Sequence, residues 1–131
     1  MKTNYKLAIA LIAGTAIGGA AIQGLHAQAK PPAYVIIPIL KINDAAAFKA
    51  GVLDKASASE AAMKAEGGRY VIRSDKFTHL DGNPPERLVI IAFDSIEQAQ
   101  AYEKSAALKE VTAARLKSTN SLSFIVEGVT N

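Results

Sequence analysis

The chain has 131 residues, half of them hydrophobic, with no Cys, no Trp and 15 Lys and Arg against 12 Asp and Glu, a net charge of +3. That length holds one domain, and so apolar a composition excludes disorder. The absence of Cys excludes disulfides, a thiol nucleophile and cysteine-ligated metal sites.

Lys2 and Lys6 precede an uncharged run over residues 7–22, and Ala27-Gln28-Ala29 matches the A-x-A pattern of a signal peptidase site. The run has 16 residues, six of them Ala and three Gly, fewer than the ~20 of a spanning helix. Residues 1–29 therefore read as a cleaved export signal, with the cut after Ala27 or Ala29 and a periplasmic or secreted destination. Without a Cys the product is not a lipoprotein, and no membrane attachment follows cleavage. The mature chain keeps 102 residues with 13 basic and 12 acidic side chains, a net of +1. Its Lys and Arg are scattered among acids, which argues against a nucleic-acid partner.

Lys30-Pro31-Pro32 forms a short tether to a domain over residues 33–131. Residues 34–42 (YVIIPILKI) are rich in β-branched side chains and predict a strand, with a bulge or a break in pairing near Pro38, which has no N–H to donate. Asn43 or Asp44 caps a predicted helix running to about Ala65, with Phe48, Val52, Ala56, Ser59 and Met63 along one stripe. Gly51 weakens that helix, and Gly67-Gly68 ends it. Residues 69–73 (RYVIR) predict a second strand extending irregularly to Leu80, before the turn cluster Asp81-Gly82-Asn83-Pro84-Pro85. Residues 86–93 (ERLVIIAF) predict a third. Ser95 and Gln98 have capping-box spacing, and the helix they open breaks near Ser105. The helical stretch beyond carries Leu108, Val111, Thr112 and Arg115 on one face. Residues 122–127 (LSFIVE) predict the last strand, closed by Gly128.

The order β-α-β-β-α-β is that of an α+β ferredoxin-like sandwich. The first and third strands are apolar on both faces and belong in the centre. The second and fourth, with Arg69 and Arg73, or Ser121 and Ser123, on one face, suit the edges, giving an antiparallel sheet of order 4-1-3-2. Two helices cover one face of such a sheet. The other needs a partner, and a second copy packed sheet to sheet as a homodimer is the economical one.

The segment Glu66-Gly67-Gly68-Arg69-Tyr70-Val71-Ile72-Arg73, the run from Pro85 to Phe93, Ser95 with Glu97 and Ala99, Asp44, Ser105, Arg115 and the closing Val126-Glu127-Gly128 together resemble the DUF1330 family, proteins of unknown function. The resemblance covers nearly all of residues 33–128 and implies a dimeric α/β barrel. Two positions depart from the family's pattern: Leu108 stands where a Tyr is usual, and Gly51 where an aromatic is common. The broader superfamily includes cofactor-free monooxygenases, muconolactone-type isomerases and haem-degrading enzymes, so the resemblance favours small-molecule chemistry without choosing one.

Candidate site residues each have a structural alternative. Arg115 lies on the apolar helical stripe and either faces the space between helix and sheet, where it could bind an anion, or snorkels to solvent. Arg69 could clamp a carboxylate together with Arg73, or keep an edge strand soluble. Tyr34 and Tyr70 could orient an aromatic or keto compound, or pack in the core. His79, flanked by Asp75 and Asp81, and Tyr34 are the candidate proton acceptors, although a lone His in such a position is more often simply an exposed loop residue. It is the single His of the mature chain, which argues against a metal site. Glu86-Arg87 is either an ion pair tying the turn or a catalytic pair. The expectation is an exported homodimer that needs no cofactor and binds a small organic ligand between its helices and sheet. The alternatives are a cofactor-free monooxygenase or isomerase acting on a small aromatic or keto compound, and a non-enzymatic envelope or stress-related protein.

Overall fold

In the computed structural model, residues 30–130 are described, and a compact unit begins at Pro31. The expected export signal, residues 1–29, lies outside the described residues. The first strand, β1 (Ala33–Ile42), exposes one feature of the sequence directly. Pro38 accepts a hydrogen bond from the Leu122 amide through its carbonyl (3.1 Å), so its missing N–H points to the same side. On that side the pairing is interrupted: β4 (Thr119–Ser121) pairs with Ile39 to Ile42 and β5 (Phe124–Glu127) with Ala33 to Ile36. The last strand, expected over residues 122–127, is thus confined to β5, and the short β4 before it, on the far side of the proline, was not expected from the sequence.

After β1, the Asp44 carboxylate accepts from the Ala47 amide (3.0 Å) and caps α1 (Ala45–Gly51). The single helix expected as far as Ala65 is broken here. A 3-10 turn (Leu53–Lys55) separates α1 from α2 (Ala56–Ala65). At the break the Gly51 backbone lies against the last long helix, where a Cβ would stand 2.5 Å from Ala114 Cβ, so close packing fixes the glycine. The apolar stripe survives the break: Phe48, Ser59 and Met63 are buried.

A Schellman motif ends α2. The Gly67 amide bonds to Lys64 O (3.0 Å) and the Gly68 amide to Met63 O (2.9 Å), with Gly67 at φ +80°. The two glycines have different reasons. Gly67 supplies the left-handed backbone, whereas Gly68 supplies room, because a Cβ there would lie 2.5 Å from Phe93 Cε1 and 2.8 Å from Met63 Cγ.

Strand β2 (Arg69–Ser74) stops short of the expected extension to Leu80. Ser74 Oγ accepts from the Lys76 amide (3.0 Å), turning the chain into a loop on which Leu80 is 90% exposed and has nothing to pair with. Then β3 (Arg87–Phe93) runs back through the sheet centre, and Ser95 caps α3 (Ile96–Glu103). Its hydroxyl accepts from the Gln98 amide (3.3 Å), as a capping box requires, but Gln98 Oε1 lies 3.4 Å from that same hydroxyl rather than returning to the Ser95 amide. As expected, the helix breaks at Ser105, which caps α4 (Ala106–Ser118).

The antiparallel sheet has the order β2-β3-β1-β4, with β5 also on β1. This is the predicted ferredoxin-like arrangement, and it follows from placing the two doubly apolar strands in the centre. Helices pack on one face, where Val35, Ile91 and Phe93 are buried with Met63, Ala99 and Tyr102. Cross-strand register defines the other face: one row holds Arg69, Ala92, Tyr34 and Val126, and the next Ile72, Ile90, Ile36 and Phe124. Of these, Ile72, Phe124 and Val126 are exposed, as is Leu40 further along β1. Among the described residues no helix is long and apolar enough to cross a membrane.

Candidate functional site

Between the helix layer and the sheet lies a cavity of about 320 Å³. Its walls are mostly apolar: Ile37, Ile39, Val89 and Ile91 rise from the sheet, Phe48, Val52 and Ala56 come from α1 and the segment after it, and Leu108 and Val111 from α4. Set into these walls are three guanidinium groups, Arg73, Arg87 and Arg115, and a single carboxylate, Glu103.

Arg115 belongs to the helical stripe read from the sequence, and all four members of that stripe line the cavity. The residue is only 6% exposed, so it does not snorkel to solvent. Its Nη1 donates to Ser121 Oγ (2.6 Å), Ser121 shares a hydrogen bond with Thr119 Oγ1 (2.8 Å), and Thr119 Oγ1 donates to the Arg115 carbonyl (2.7 Å). This ring of three residues ties the end of α4 to β4 and orients the guanidinium. Burial lowers the Arg115 pKa, and Glu103 opposes that shift.

A bulge in β2 brings Arg73 to the cavity. The register with β3 shifts between Tyr70 and Ile72, so Tyr70 pairs with Ile91 and Arg73 with Val89, both on the helix side. The Arg73 guanidinium stands 4.4 Å from the centroid of the Tyr70 ring. The same bulge corrects the expectation that Arg69 and Arg73 share a face. Arg69 pairs with Ala92 on the opposite side of the sheet, so the two cannot clamp one carboxylate. Arg87, paired with Ile39, also reaches the cavity. Its neighbour Glu86 forms no ion pair with it, and Oε1 instead accepts from the Ile42 amide (2.9 Å).

Glu103, the last residue of α3, is not among the residues singled out from the sequence. Its Oε2 is buried and has no hydrogen-bond partner among the described residues. Burial raises the pKa of this carboxyl, and Arg115 partly counteracts the rise. The readable signal was its spacing: Ile96, Ala99 and Glu103 follow at i, i+3 and i+7, which puts an acid on the buried stripe of a short helix. Beside it, Tyr102 lines the cavity and packs on Phe93 with ring centroids 5.4 Å apart. Burial is the main cause that pushes its phenol well above the ordinary range, with smaller contributions from Tyr70 and Glu103.

The structure thus brings Arg115 and Tyr70 together at the cavity, and it leaves Arg69, Tyr34 and His79 elsewhere. Tyr34 is on the open face beside Gly128, where a Cβ would come within 2.7 Å of its ring. His79 sits on the exposed loop after β2, with Nε2 hydrogen-bonded to the Gly82 carbonyl. Neither candidate proton acceptor lines the cavity of its own chain. Among the described residues no group of His, Asp and Glu is arranged to hold a metal ion.

The family model described as a domain of unknown function (DUF1330) matches residues 32–129. No curated protein matches the chain. Among solved structures, the chain is similar to the RPA0582 protein of unknown function from Rhodopseudomonas palustris, with a TM-score of 0.59 at 12% identity over 86% of this chain and 94% of that one. The methylated form of RPA0582 gives 0.56 at 12% identity over 85% and 91%. SnoaB, a cofactor-independent oxygenase from Streptomyces nogalater, gives 0.48 at 11% identity over 77% and 96%.

Proposed function

The chain belongs to the DUF1330 family, and on that premise we propose that it is an exported homodimer whose cavity binds a small organic anion. One observation carries the reading: a buried, oriented Arg115 on the helix side of a mostly apolar cavity, with Arg73 and Arg87 lining it from the sheet. A guanidinium taken out of water without a counter-charge in contact is costly, and a bound carboxylate offsets that cost through a charge-assisted hydrogen bond. The cavity lies at the small end of the ~300–1,000 Å³ typical of ligand pockets, which suits a compact acid.

The test is calorimetric titration with benzoate, chosen because Phe48, Tyr70 and Tyr102 line the cavity, on the wild type, Arg73→Ala and Arg115→Met. Arg73 is exposed on a strand, so its variant keeps the test decisive should Arg115→Met unfold. Affinity is expected to fall about tenfold or more in either variant. Unchanged affinity in folded variants refutes the reading. Mass spectrometry of small molecules released from protein taken from its native compartment identifies the physiological ligand.

The homodimer rests on the open sheet face. Exposed Leu40, Ile72, Phe124 and Val126 surround half-buried Ile36 and Ile90, a continuous apolar surface of the kind that marks an interface. Sedimentation at micromolar concentration is expected to give a dimer in the wild type and a monomer in Phe124→Glu/Ile72→Glu. A wild type running only as ~11 kDa monomers, at roughly 110 Da per residue, removes the proposal. Export is supported by the leader in the sequence and is tested by the N-terminus of the mature protein, expected at Gln28 or Lys30.

A further inference from the structure

We infer that the Tyr102 hydroxyl donates a hydrogen bond to an uncharged acceptor at the far end of the ligand, so that the cavity prefers small organic acids that also carry a carbonyl group. The inference rests on the anion-binding reading above and narrows it to a ligand class.

Tyr102 lines the cavity and is only 3% exposed. Its hydroxyl forms no hydrogen bond among the described residues, although a buried tyrosine ordinarily finds a partner for that group. The hydroxyl is nevertheless within reach of water. Among the described residues, the one unpaired side-chain oxygen closed off from water is Glu103 Oε2. An unpaired donor that is reachable, on so deeply buried a residue at a cavity wall, is presented to the occupant of that cavity. The ring is held in place by Phe93, with centroids 5.4 Å apart. Burial pushes the phenol above its ordinary range, so it keeps its proton and serves as a donor.

The strand register places this donor away from the Arg115 end of the cavity. Phe93, on which the Tyr102 ring rests, pairs with Ala33 at the start of β1. The Arg115 guanidinium is tied to Ser121, which pairs with Ile39, as Arg87 does from the other side. Ala33 and Ile39 are six residues apart on one strand, about 20 Å at ~3.4 Å per residue. Arg115 and Tyr102 therefore approach the cavity from opposite ends of β1, with Ile37, Val89 and Ile91 lining it between them. A carboxylate held by Arg115 leaves the Tyr102 hydroxyl for another part of the same ligand. Glu103 and Tyr70 each oppose a negative charge at the phenol, so that part is uncharged, and a carbonyl oxygen is the simplest such acceptor. A ligand without it leaves a desolvated donor unpaired.

The experiment titrates purified protein with benzoate, with 3- and 4-acetylbenzoate, and with the matching isopropenylbenzoates, which keep the shape of the acetyl acids without the carbonyl oxygen. In the wild type at least one acetyl acid is expected to bind about fivefold tighter than its isopropenyl counterpart. In Tyr102→Phe, which keeps the ring on Phe93, that preference is expected to disappear, while benzoate binds as it does to the wild type. Absence of the preference in the wild type, its persistence in Tyr102→Phe, or an equal loss of affinity for every acid in that variant overturns the inference and leaves the anion reading standing. Failure of every acid, benzoate included, to bind the wild type removes the anion reading and this inference with it.

Discussion

Replacing Gly68 by Ala is expected to be among the most damaging single-methyl additions to this fold. The new Cβ would stand 2.5 and 2.7 Å from Phe93 Cε1 and Cζ and 2.8 Å from Met63 Cγ. Carbon atoms rest at about 3.5–4.0 Å, so the collision demands a displacement of about 1 Å. Neither neighbour can give way cheaply: Phe93 and Met63 are each 1% exposed, and Phe93 is stacked against Tyr102. Nor can Gly68 withdraw, since its amide is held by Met63 O in the helix stop and Arg69 beyond it is already paired in the sheet. Overpacking of this kind costs about 2–3 kcal/mol, which in a domain of this size lowers Tm by on the order of 10–20 °C. Scanning calorimetry and urea unfolding of Gly68→Ala, Phe93→Leu and the double variant provide the test. If the collision is the cause, Gly68→Ala costs less in the Phe93→Leu background, by at least about 0.5 kcal/mol. A loss under about 0.5 kcal/mol in the single variant, or an identical loss in both backgrounds, refutes the reasoning. Because Tyr102 packs on Phe93 and lines the cavity, benzoate binding is expected to weaken with stability.

Other outcomes follow from single features of the structure. Gly67→Ala, which forces φ +80° on a residue with a Cβ, is expected to cost about 1–2 kcal/mol by chemical denaturation; no change would mean that the helix stop relaxes. Asp44→Ala removes the cap of α1 and is expected to cost about 1 kcal/mol, whereas Asp44→Asn retains most of the stability. Burial raises the Glu103 carboxyl above its ordinary 4.5, so the folded state holds this proton more tightly than the unfolded chain does. That contribution is fully present below 4.5 and is lost as pH rises through the folded-state value. Glu103→Gln has no such proton to lose, so it is expected to gain stability relative to wild type as pH rises from 4.5 to neutrality. Parallel stability profiles for the two proteins refute this.

The cavity also shows which readings of a sequence carry through to function. The helical spacing of Leu108, Val111, Thr112 and Arg115 put a cation on the apolar stripe, because α4 is one unbroken helix whose face is set by its period, and the packing decided that it points inward rather than to solvent. The pairing of Arg69 with Arg73 did not survive, because alternation holds only where a strand has no bulge, and the bulge at Val71 is created by pairing with β3. Glu103 lay on a readable stripe, yet its importance comes from burial and from the nearness of Arg115, which depend on how α3 and α4 pack together.

By itself, the sequence determined the order β-α-β-β-α-β, the central position of β1 and β3, a cap at Asn43 or Asp44, the cap at Ser95, the helix break near Ser105, and the interruption opposite Pro38. These are decided by local chemistry: which residues branch at Cβ, which oxygens reach an orphan amide, and which residue has no N–H. The tertiary structure decided the break at Gly51, the separate roles of Gly67 and Gly68, the opposite faces of Arg69 and Arg73, and the meeting of three guanidinium groups with one carboxylate. Each of these depends on a neighbour distant in the chain, Ala114 for Gly51 and Phe93 for Gly68, and such a contact exists only once helices and sheet have closed on one another.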